Sequence, residues 1–73
     1  MQIELDKNTA LVIFELLASR EEELVRALAL DDPERNALWH LECALERVLV
    51  EPFSAQYSEL LEAAREALRA GGA

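Results

Sequence analysis

His40 and Cys43 are the chain's single histidine and single cysteine, and their side chains come first for any chemistry. Three positions apart on a helix, they share a side and can both reach one metal ion. A structural zinc site takes four protein ligands, and no second His or Cys exists to complete one. Glu42 and Glu46 point about 100° or more away from His40, so they close no site with it. His40-Leu41-Glu42 matches the H-x-E of zinc deaminases but lacks their P-C-x-x-C. A nucleophilic Cys43 would need His40 as base, a positive environment and an oxyanion hole. Nothing Gly-rich or loop-like offers that hole. The expectation is a packing thiol, with no catalytic residue, no metal and no cofactor. The acid pairs Glu42 with Glu46 and Glu59 with Glu62 read as solvated helix faces. An enzyme is not expected.

Charge narrows the partners. Fifteen acids against seven bases leave a net charge of −8. That balance argues against nucleic acid or an anionic membrane surface. Much of the excess falls in 21–34, where Glu21, Glu22, Glu23, Asp31, Asp32 and Glu34 meet only Arg26. One reading is helix-capping acids on a soluble surface. The other is a docking surface for a basic protein, whose approach such a field would speed and orient. By analogy of composition, the second reading gives an acidic immunity-like or antitoxin-like protein that neutralises or regulates its partner.

The elements that position these residues are helical. Hydrophobic residues make up 52% of the 73 positions, with 14 Leu and 12 Ala against six Ile and Val. Leu and Ala lose little freedom in a helix, and β-branched residues lose more. The chain reads as one all-α domain over 1–73, a bundle of three main helices. Residues 1–5 alternate apolar and polar, which is the pattern of a short extended segment.

Asp6 is placed to cap a first helix over 7–20, with continuation to 28. Ala10, Ile13, Phe14, Leu17, Leu24 and Leu28 share one face, while Val12 and Leu16 point nearly opposite. A helix apolar on both sides is covered on both. Ser19 and Glu22 fit a capping box that would restart a helix, so a break or bend is expected within 19–30. Leu28-Ala29-Leu30 reads either as an extended stretch beside Ile3 to Leu5 or as the helix's last turn.

Asp31, Asp32 and Pro33 open a second helix over 33–50, since Pro suits the first turn and the acids suit the dipole. Leu38, Leu41, Leu45, Val48 and Leu49 form its main stripe. Trp39, Cys43 and Val50 lie on a narrower one. Pro52 ends the helix, and Phe53 is expected to plug the end of the bundle. Ser54 would cap a third helix over 55–70, whose single stripe is Tyr57, Leu60, Leu61, Ala64 and Leu68. Glu62–Arg65 and Glu66–Arg69 pair on its wet side, and Gly71-Gly72 supplies the stop.

The run Leu38-Trp39-His40-Leu41-Glu42, then Leu45-Glu46-Arg47-Val48-Leu49-Val50-Glu51-Pro52-Phe53, resembles a group of short, uncharacterised bacterial proteins. Their core reads L-W-x-L-E, then L-E-x-x-L-V-E-P-F, behind an N-terminal I-E-L like Ile3-Glu4-Leu5. The resemblance implies a bacterial cytoplasmic protein and no mechanism. No basic region followed by an apolar run opens the chain, and the longest apolar stretch, Ala10 to Phe14, is far too short to span a membrane. A cytoplasmic location is expected. The functional expectation is a non-catalytic interaction or structural protein that self-associates. Small domains without disulfides or metals add partners, so a homodimer is expected through Val12 and Leu16, extended by Trp39, Cys43 and Val50.

Overall fold

The computed structural model describes residues 2–71, so Met1 of the extended segment and Gly72 of the terminal stop lie outside it. The order is α1 (Lys7–Leu28), α2 (Asp32–Val48), a 3₁₀ turn (Glu51–Phe53) and α3 (Tyr57–Arg69). This is the small all-α bundle expected from the Leu and Ala content. Residues 2–5 form no strand, and no strand occurs among the described residues.

α1 starts where Asp6 caps it. The Asp6 carboxylate accepts from the Thr9 N–H at 3.0 Å and from the Thr9 hydroxyl at 2.6 Å. The helix bends at Arg20, whose φ of −128° and ψ of 16° leave the helical region. The expected break is therefore there, but not as a capping box. Ser19 donates its hydroxyl to the Glu15 carbonyl at 2.7 Å, a back-bond that bends helices without ending them. Beyond the bend the helix closes at Leu28. Leu30 N–H bonds Val25 C=O at 3.0 Å and Ala29 N–H bonds Arg26 C=O at 3.4 Å. Ala29 takes φ +50°, the left-handed position a Schellman motif usually gives to glycine. The last-turn reading of 28–30 holds, and the extended alternative does not.

α2 opens with the Asp31 N–H donating to the Glu34 carboxylate at 2.9 Å, with Pro33 in the first turn. It ends at Val48 rather than Val50, because Leu49 is already extended ahead of the 3₁₀ turn around Pro52. α3 begins later than expected. The Ser54 hydroxyl accepts from Gln56 N–H at 3.1 Å and so closes a local turn, while Gln56 takes the cap position of the helix. At the far end Gly71, at φ +81°, donates its N–H to the Leu68 carbonyl at 3.0 Å.

α1 is the central helix, packed against both α2 and α3. The buried residues are Ala10, Leu11, Phe14 and Leu17 of α1, Leu61 and Ala64 of α3, and Leu45 with Leu49 at the end of α2. Two bonds tie this end together. Tyr57 donates its hydroxyl to the Glu15 carboxylate at 2.8 Å, and Lys7 pairs with Glu51 at 2.8 Å. Burial pushes the Tyr57 phenol up to about 12, reinforced by its bond to Glu15 and by that residue's charge. On the wet side of α3 the expected Glu62–Arg65 and Glu66–Arg69 pairs form.

Several core expectations need correction. Phe53 is 79% exposed, so it plugs nothing. Val48 is 74% exposed and Leu41 is also on the surface, although both belong to the apolar arc of α2. Val48 and Leu41 lie about 80° and 60° around α2 from the midpoint of the buried pair Leu45 and Leu49, so they sit at the edge of the arc and face away from α1 and α3. Length then divides the bundle in two. At 1.5 Å per residue the 22 residues of α1 span roughly 33 Å, whereas the 13 of α3 span roughly 20 Å. The three helices share one end of the bundle. Beyond it α1 and α2 continue as a two-helix hairpin.

Candidate interaction surface

Between Leu17 and Leu45 no residue is buried. This stretch holds the outer part of α1, the Ala29 corner and most of α2. Its two flanks differ in chemistry. On one, Leu24, Leu28, Leu30, Ala37 and Leu38 line a hollow to which Glu34 also contributes. Only carbon faces this hollow. A second hollow, walled by Leu16, Arg20, Glu23 and Ala27, shares Leu24 with it. On the other flank Glu21, Glu22, Val25, Arg26, Asp32, Arg35, Asn36 and Trp39 form open polar hollows.

The apolar flank follows from the residue spacing. Leu24, Ala27 and Leu28 recur at i, i+3, i+4, and Ala37, Leu38 and Leu41 follow at i, i+1, i+4 across the corner. The Schellman closure at Ala29 turns Leu30 into the same hollow. A sequence reading places Leu24 and Leu28 on the face of Phe14, and so in the core. The bend at Arg20 and the reach of α3 decide otherwise.

The expected self-association residues do not form one patch. Val12 is half-buried against the core within the chain. Leu16 is exposed on the apolar flank, while Trp39, 55% exposed, stands on the polar one with its ring edge-on to His40 at 5.4 Å. Cys43 is half-buried, and Val50 is exposed past the end of α2. Of the five, only Leu16 adjoins the carbon-lined hollow.

Three of the six acidic residues of 21–34 have a partner within their own chain. Glu34 serves the start of α2, Glu23 pairs with Arg20 at 3.1 Å, and Glu22 lies 4.0 Å from Arg26. Glu21 faces α2, where it lines a hollow with Asp32, Arg35, Asn36 and Trp39. Partial burial, then the charges of Glu21 and Glu46, push the Glu42 carboxyl above its ordinary range. His40 is exposed, and among the described residues no three His, Cys, Asp or Glu side chains gather to hold a metal ion. No described helix is long and apolar enough to cross a membrane. No protein-family model, curated protein or solved structure matches this chain.

Proposed function

We propose that this chain is a non-catalytic helical interaction protein that engages its partner through the apolar flank of the α1–α2 hairpin. The carrying observation is surplus surface. A folded monomer of this mass exposes about 4,500 Å². This chain exposes 5,579 Å², roughly 1,000 Å² more. Its radius of gyration, 13.0 Å, likewise exceeds the roughly 11 Å of a compact chain of this length. The free segment 2–5, the exposed end at Val48, Val50 and Phe53, and the hairpin share the surplus. A contiguous apolar flank left in water is the ordinary mark of an interaction site. The Arg20–Glu23 pair and the Glu34 bond to Asp31 N–H favour this flank over the acidic run as the contact surface. We place the protein in the cytoplasm, with the short bacterial helical proteins it resembles.

A photo-crosslinking residue at Leu28 tests the reading in the cells that produce the protein. It should give discrete products of higher mass, and the same probe at Asn36 on the polar flank should give none. Equal products from both positions, or none from Leu28, would remove the apolar flank as an interface.

A further inference from the structure

We infer that the occupant of the apolar flank is a second copy of this chain, packed hairpin against hairpin into a four-helix arrangement. The inference rests on the interaction reading above and narrows it to one partner. Area comes first. Each partner of a standard interface covers about 800 Å², and the surplus here, roughly 1,000 Å² shared by the flank, the 2–5 segment and the Val48–Phe53 end, is of that order. Topology comes second. Two antiparallel helices joined by a short corner are half of a four-helix bundle, and α3 is too short to be the missing half. Self-complementarity comes third. A two-fold axis sets the flank against its own copy, so each atom must suit its own kind. A surface of leucine and alanine carbon does so, and its small Ala27 and Ala37 let helices approach closely. The rim carries Arg20 beside Glu23, and the Glu34 carboxylate is held by the Asp31 N–H, so the rim repels neither sign as a block. A basic partner would instead need an acidic flank, which this is not.

The two kinds of partner also respond oppositely to salt. Each copy carries −8, so salt should strengthen a pairing of like copies and weaken a pairing with a basic protein. Sedimentation equilibrium of the full chain, at about 0.05 M and about 0.5 M NaCl, reads this directly. The expected result is a species of twice 8.2 kDa that tightens with salt. Leu28→Glu with Ala37→Glu should weaken it by roughly a hundredfold or more, since each substitution counts twice across a two-fold axis. Both residues are exposed in the single chain, so unchanged helicity by circular dichroism would show that the fold survives. Trp39→Glu with Val50→Glu adds the same charge elsewhere and should leave the dimer within a few-fold. A monomer at every concentration, a dimer equally lost in both double variants, or weakening by salt would overturn the second copy. Crosslinks from Leu28 to a different protein, with the purified chain monomeric, would overturn it while leaving the interaction reading in place.

Discussion

Leu17 and Leu28 are the same residue type on the same helix, yet one is 3% exposed and the other 64%. Around Leu17 three elements meet: α1, the end of α2 and α3. Around Leu28 there are two, because α3 does not reach. The comparison separates two things that helical spacing alone merges. Spacing says which residues share a face, and the number of neighbouring helices says whether that face is covered.

The largest effect should come from the covered end. Phe14→Ala removes a buried ring at the meeting of the helices and should cost about 3 to 5 kcal/mol, a large part of the stability of a domain this size. Leu28→Ala, measured at a dilution where the chain is monomeric, should stay within about 0.5 kcal/mol. Urea unfolding of both variants reads the contrast. Equal shifts in midpoint would mean that the hairpin is as well packed as the core. Phe53→Ala belongs with Leu28 in this test, given its exposure.

Tyr57 sharpens the same comparison at smaller scale. Its hydroxyl joins α3 to α1 through Glu15, so Tyr57→Phe should cost about 1 kcal/mol. The sign with pH is set by the raised phenol. A pKa held near 12 in the fold, against 10.0 ordinarily, favours the protonated form. This contribution is complete below pH 10 and is lost as pH rises through about 12. Tyr57→Phe should flatten that alkaline loss in a denaturation series. An unchanged alkaline slope would place the origin elsewhere.

The corner of the hairpin should respond in the opposite direction. Ala29 holds a left-handed backbone, which costs an L-residue roughly 1 to 2 kcal/mol and glycine almost nothing. Glycine gains freedom when unfolded, which returns part of that. Ala29→Gly should therefore stabilise the chain by about 1 kcal/mol, seen as slower amide exchange in residues 24–34. Faster exchange there would show that Ala29 is not strained.

What the sequence made legible follows the same division. The caps are local, so Asp6, Asp31 and Pro33 announced the starts of α1 and α2 without help from tertiary structure. The bend within 19–30 was legible too, through Ser19, though its mechanism is a back-bond and not a new cap. Ser54 misled because its hydroxyl served the nearer turn set by Pro52. Phe53, Val48 and Leu41 misled for a physical reason. An apolar residue after a corner, or on a stripe, is buried only if another element extends over it. Likewise Leu24 and Leu28 read as core because periodicity continues past Arg20, while α3 does not. Of the candidate interface, Leu16 alone was anticipated. The carbon-lined hollow needed the Ala29 closure to bring Leu30 toward Leu38, and no local spacing encodes that.

The smallest effect contrasts the two regions by acid titration, where they should move in opposite directions. At the covered end two carboxyls lie below their ordinary range. Thr9, through its hydroxyl and amide, lowers Asp6, and the hydrogen bond from Lys7 lowers Glu51. Groups depressed in the fold give stability that is present above their unfolded values, 3.8 and 4.5, and is lost as pH falls through the folded ones. Acid therefore loosens the covered end. In the hairpin, Glu42 is raised by partial burial and by Glu21 and Glu46, so the fold favours its protonated form. That contribution is present below 4.5 and is lost as pH rises through the folded value, so at neutral pH Glu42 opposes the hairpin. Glu42→Gln should relieve it. The like-charge pair Glu42 with Glu46, at i and i+4, accounts for about 0.2 to 0.5 kcal/mol, which sets the expected gain at pH 7. At pH 3 the variant and the parent should melt together. A gain that persists at pH 3 would come from packing and not from charge. Amide exchange resolved by residue should place the gain in 21–46, with the amides of Leu11 and Phe14 following only global unfolding.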